Sequence, residues 1–107
     1  MTQESDIQVS NDNVFADLNL HNPDEILIKA ELVRQVCEII DKQKLTQIET
    51  AALLGIDQPK VSALLRGKIT GFSLERLFRF LNALDRDVEI VVKSKPKARK
   101  SARVKVV

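Results

Sequence analysis

Residues 44–67 read KLTQIETAALLGIDQPKVSALLRG. The spacing predicts two short helices joined by a tight turn. Thr46 suits an N-cap, and Glu49 three residues on completes a capping box. The first helix is expected from Gln47 to about Leu54. Gly55 then supplies the left-handed backbone that ends many helices. Asp57 is a second N-cap, and Pro59 falls in the first turn of the second helix, where a missing N–H costs nothing. That helix is expected to run to about Arg66 and stop at Gly67. Leu45, Ala51, Leu54, Ile56, Val61 and Leu64 are placed to share one small core, with Ala51 small enough for two helices to cross closely. Positions 47, 58, 60, 62, 66 and 68 should be exposed, and none is acidic.

Working outward, residues 22–25 (NPDE) start another helix. Asn22 caps it, Pro23 takes the first helical position, and the acids suit the positive end of the helix dipole. Ile26, Ala30, Val33, Cys37 and Ile40 keep helical spacing to about Lys42. Leu27, Leu32, Val36 and Ile39 widen that stripe. Cys37 reads as a small core residue rather than a nucleophile. On the far side, residues 68–72 (KITGF) form a loop, and Ser73 caps a helix read as SLERLFRFLNAL. Leu74, Leu77, Phe78, Leu81 and Leu84 are taken as its apolar face. Phe80 falls off that stripe, which hints at a second buried surface such as a dimer interface, with a core position as the other reading. After a turn at residues 85–87, Val88–Lys93 is rich in β-branched residues and reads as a strand. A lone strand leaves unpaired backbone groups, so it needs a partner, either residues near the N-terminus or a second subunit. The same segment of a second subunit is favoured, making Val88, Ile90 and Val92 dimer contacts alongside Phe80.

The fold expected is therefore all-α: a compact helical bundle with one short C-terminal β-strand used in dimerisation. Residues 22–93 are its domain, residues 1–21 an acidic segment without regular structure over much of its length, and residues 94–107 a basic tail. The chain has 107 residues and a formal net charge of +2, which hides an asymmetry. Residues 1–31 hold seven acids and one base, whereas residues 93–107 hold seven bases and no acid. A basic end suits nucleic acid and can lie along phosphate, and an acidic end is repelled by it. The apolar cluster Val14, Phe15, Leu18 and Leu20 either folds back on the bundle or docks on a partner protein.

Other function classes find little support. No apolar run approaches the roughly 20 residues that span a bilayer. The polar, acidic start does not resemble a signal peptide. A single cysteine fits a reducing compartment, so a cytoplasmic protein is expected. The one histidine, His21, and the one cysteine lie on different segments. The three glycines, at 55, 67 and 71, mark turns rather than a phosphate loop. No catalytic constellation, metal site or cofactor is expected.

The pattern L-T-Q-x-x-x-A-x-x-L-G-I-x-Q-x-x-V-S-x-L-L-R-G, from Leu45 to Gly67, resembles the helix-turn-helix of the phage-repressor (Cro/C1, or XRE) family. That resemblance implies double-stranded operator DNA as ligand. The second helix would enter the major groove, its N-terminal end against base edges. Gln58, Lys60, Ser62 and Arg66 would then contact bases. Glutamine can pair with adenine N6 and N7, and lysine with guanine O6 and N7. Lys44, Thr46, Gln47, Lys68 and Thr70 would contact phosphate. In the family, the glutamine matching Gln47 also buttresses the one matching Gln58. Pro59 stands where the family often has Ser or Thr, so a hydroxyl contact is lost there. Readers of this kind usually dimerise on two-fold operators.

Longer strings narrow the likeness. N-V-F-A-D-L-x-L from Asn13, G-F-S-L-E-R-L-x-R-F-L-N-A-L from Gly71 and D-V-E-I-V-V-K-x-K-P from Asp87 resemble HigA-like antitoxins of type II toxin–antitoxin systems. Such antitoxins neutralise a RelE-like mRNA-cleaving toxin and repress their own operon. The resemblance implies a basic toxin as partner, contacted by residues 1–21 through Phe15, Leu18 and Leu20. Two alternatives stand beside it: a stand-alone phage-type repressor, and a structural interaction module that no longer binds DNA.

Overall fold

The computed structural model describes residues 23–107. The acidic segment, with Phe15, Leu18 and Leu20, and the proposed cap Asn22 lie outside the described residues. Four helices follow in order: α1 Pro23–Lys42, α2 Gln47–Leu54, α3 Gln58–Leu65 and α4 Leu74–Ala83.

The helix starts follow from their caps. Thr46 Oγ1 accepts from the Glu49 N–H at 3.1 Å, and Glu49 Oε1 accepts from the Thr46 N–H at 2.8 Å, which closes the expected box. Asp57 Oδ1 accepts from the Lys60 N–H at 2.9 Å, and Ser73 Oγ from the Arg76 N–H at 3.2 Å. Each cap pairs an N–H that the helix itself leaves unpaired, stabilising it by about 1 kcal/mol.

The helix ends share one device. A residue in the left-handed region follows each helix: Lys44 (φ 55°), Gly55 (φ 71°), Gly67 (φ 79°) and Asp85 (φ 62°). The next N–H reaches back five residues in every case, as in Leu45 to the Ile40 carbonyl at 3.1 Å and Arg86 to the Leu81 carbonyl at 2.9 Å. These bonds satisfy carbonyls that the last turn would leave unpaired. Two of the four ends use glycine, which adopts this backbone freely. Lys44 and Asp85 do so against a steric penalty.

α1 is the central post. It packs on α4 and on α3, while α2 packs on α3 and α4. Its buried face is Ile28, Lys29, Leu32, Val33, Val36, Ile39 and Ile40. This corrects the stripe read from sequence: Ile26 and Leu27 are exposed, as is Ala30, and Ile28 is inside. α1 carries apolar residues around most of its circumference, so periodicity admits more than one stripe. Contact with α4 makes the choice. Lys29 is buried along its stem and lies 4.0 Å from Glu25, one turn back.

α4 needs a second correction. Its buried residues are Leu77, Phe80 and Leu81, followed by Leu84 at the cap. Spacings of three, four and seven from Leu77 put these on one face. Phe80 is therefore a core residue, 3% exposed, and offers no free surface to a dimer partner. Phe78 is the residue at the rim. Phe72, read as part of a loop, is buried too, and its ring meets Phe80 edge-on with centroids 5.7 Å apart. The Arg76 guanidinium lies 5.8 Å from both ring centroids.

The expected strand at Val88–Lys93 is not formed among the described residues. A ladder needs a second backbone, and a single chain offers none here. Val88 packs against the core, while Ile90 and Val92 are exposed. The end of the basic tail turns back to the bundle instead of extending a sheet. The Val104 N–H donates to Asp24 Oδ2 at 3.4 Å, and Val106 packs against the core.

Candidate nucleic-acid interface

α3 is held by two wholly buried side chains, Val61 and Leu64. With these facing inward, helical spacing turns Pro59, Ser62, Ala63 and Arg66 furthest outward, and Gln58 and Lys60 flank the N-terminal end. Gln58, Pro59, Lys60 and Arg66 are exposed, and Ser62 and Ala63 are half-buried. Of the four base-contact candidates, Gln58, Lys60 and Arg66 are thus accessible and Ser62 is partly so. Arg66 Nη1 donates to Ser62 Oγ at 2.6 Å, one turn back.

α2 supplies the support. Thr50 is its wholly buried residue, with Oγ1 donating to the Thr46 carbonyl at 2.8 Å. Ala51, expected at the crossing, is only half-buried. Thr50 escaped notice in the sequence because a polar residue does not mark an apolar stripe. α3 is further tied to α1, where the Cys37 thiol donates to the Leu64 carbonyl at 3.3 Å. Burial pushes that thiol up from its ordinary pKa, which makes it a poor nucleophile.

The phosphate-contact candidates lie in two loops. Lys44, Thr46 and Gln47 are exposed where α1 gives way to α2, and Lys68 and Thr70 are exposed between α3 and α4. The second loop is pinned at its far end by buried Phe72 and capping Ser73. Thr46 uses its hydroxyl oxygen as an acceptor within the capping box, so its proton is left to donate outward. No hydrogen bond joins the Gln47 and Gln58 side chains among the described residues.

Charge on this edge is one-sided in effect. Lys44, Lys60, Arg66 and Lys68 are exposed cations. The nearby acids, Glu49 and Asp57, each accept a backbone N–H at a helix start. There they complement the helix dipole rather than confront a ligand. Pro59 and Ala63 join the edge as apolar members, suited to contact with a thymine methyl. Among the described residues no helix is long and apolar enough to cross a membrane.

Comparison with known proteins agrees with this geometry. Residues 14–93 match a family model described as a helix-turn-helix domain. A solved structure named "Putative XRE Family Transcriptional Regulator" is 51% identical, with a TM-score of 0.74 over 78% of this chain and 94% of its own. No curated protein matches. With the family model spanning most of the chain, and its helices, caps and exposed α3 edge in place, this protein belongs to the XRE-type helix-turn-helix family of DNA-binding transcriptional regulators.

Proposed function

We propose that the protein is a sequence-specific repressor that reads a two-fold operator as a homodimer. The observation that carries this reading is the N-terminal edge of α3. It is exposed, free of unspent acid and set by Val61 and Leu64 to stand outward. Gln58, Lys60, Ser62 and Arg66 read base edges, while Lys44, Thr46, Gln47, Lys68 and Thr70 hold phosphate. Each good bidentate base contact contributes about 1–3 kcal/mol of discrimination. Two reading helices about 34–36 Å apart double both kinds of contact, which is why a dimer fits the task. The operator lies in the chain's own promoter. A mobility-shift titration on that DNA, against a scrambled duplex of equal length, tests it. Equal affinity for both duplexes overturns it.

The same protein acts as the antitoxin of a type II system, neutralising a RelE-like toxin through residues 1–21, in the cytoplasm at the nucleoid. Two features support this. The strings around Asn13, Gly71 and Asp87 resemble HigA-like antitoxins, and the acidic N-terminal segment complements a basic toxin. A short basic RelE-like reading frame beside the gene is expected. A chain lacking residues 1–21 should lose toxin binding, and undiminished binding would remove Phe15, Leu18 and Leu20 from the role.

A further inference from the structure

Residues 87–95 read DVEIVVKSK. No backbone N–H or C=O among them is joined to another backbone group in the described chain. Ile90, Val91 and Val92 stand 73%, 76% and 91% exposed, one after another. A run of β-branched residues with bare backbone and bare side chains calls for a second strand. Asp87, Glu89 and Lys93 form no ion pair in the single chain. Lys95 donates only to the carbonyls of Pro96 and Arg99.

We infer that this segment pairs antiparallel with its own copy in a second chain, with the two-fold axis at Val91. This pairing presupposes the homodimer proposed above and deepens it by fixing the register. In a symmetric antiparallel pair, the two residues facing each other must be of the same hydrogen-bonding kind. The axis must therefore pass through a residue, and Ile90, Val91 and Val92 are the central choices.

Val91 gives the best match across the strand, with Val88 opposite Ser94 as its one unlike pair. It sets Glu89 opposite the second copy of Lys93, Asp87 opposite Lys95, and Ile90 opposite Val92. An axis at Ile90 places Glu89 against Val91 and draws in Asp85, which is held in the left-handed turn after α4. An axis at Val92 places Val91 against Lys93 and Ile90 against Ser94, and brings Asp87 opposite Lys97 only by carrying the ladder past Pro96. Alternation supports the choice. Val88 already packs on the core, so Ile90 and Val92 share its side and close over the bundle. Asp87, Glu89, Lys93 and Lys95 then form cross-strand ion pairs on the outer side, with Val91 between them. Pro96 lacks an N–H and ends the ladder.

The test is a charge exchange followed in the full-length chain by sedimentation without DNA. Glu89→Lys and Lys93→Glu each place like charges opposite one another twice and should weaken self-association by about tenfold. An equimolar mixture of the two variants restores complementarity and should return association to near the native value. A chain with Val91→Cys should oxidise to a covalent dimer, because directly opposed residues lie within disulfide reach. The native chain controls for Cys37, and Lys97→Cys controls for an exposed thiol beyond the ladder. A native chain monomeric at every concentration, variants that associate as the native chain does, or a mixture that fails to recover would each overturn the register. Operator binding by native protein, measured in parallel, reports separately on the reading edge of α3.

Discussion

Arg66 Nη1 donates to Ser62 Oγ across one turn of α3, at 2.6 Å. Two side chains proposed to face base edges are thus tied together before DNA arrives. The bond holds the long arginine in one region of space and lowers the entropy cost of docking it. Ser62→Ala is expected to weaken binding to the cognate operator by about threefold to tenfold, with a change in melting temperature of under about 2 °C. Fluorescence anisotropy and thermal melts read the two effects independently.

Phe80 packs edge-on against Phe72, which puts it inside the monomer. Phe80→Ala should cost about 3–5 kcal/mol of stability, the range for removing a large buried aromatic side chain. Urea unfolding at several protein concentrations checks it. A loss that vanished on dilution would return Phe80 to a dimer interface.

Lys44 is held at φ 55° where α1 ends. Lys44→Gly should stabilise the fold by about 0.5–1 kcal/mol, the left-handed penalty less the entropy of a freer glycine. The same change removes the phosphate contact proposed for Lys44, so affinity should fall for every DNA sequence alike, and the salt slope should drop by about 1. Stability and binding move in opposite directions, which no purely structural role for Lys44 would produce.

Glu31 is held at about 2, first by its hydrogen bonds from Arg34 and then by one from Gln35. A folded value below the unfolded one means that the contribution is complete above the ordinary carboxylate range. It is lost as pH falls toward 2. Carboxyl NMR titration should show Glu31 titrating well below the ordinary carboxylate range, and Arg34→Ala should raise it toward that range. An ordinary midpoint for Glu31 in the native chain would contradict this.

Much of this was legible because it is local. Thr46 with Glu49, Gly55, Asp57 and Ser73 act within one turn of where they stand, and each caps as its spacing implied. The edge of α3 was legible for the same reason, since Val61 and Leu64 leave only one way to face. What sequence misjudged depends on distant partners. α1 is apolar on several sides, and α4 decides which side is buried. Periodicity favoured Phe78 over Phe80 for the apolar face, whereas Phe72 packs on Phe80 and buries it. Thr50 is polar by type yet buried, because its hydroxyl is satisfied within its own helix. The strand expected at residues 88–93 is not formed in the single chain, because a ladder needs a second backbone.

The central claim is that the Gln58–Lys60 end of α3 reads base edges. The most direct measurement compares the Gln58→Ala/Lys60→Ala protein with Lys68→Ala on the chain's own promoter and on a scrambled duplex. The double change should erase the preference between duplexes while residual binding persists. Lys68→Ala should weaken both equally and keep their ratio. A double variant that still prefers the promoter as strongly as the native chain would contradict the account.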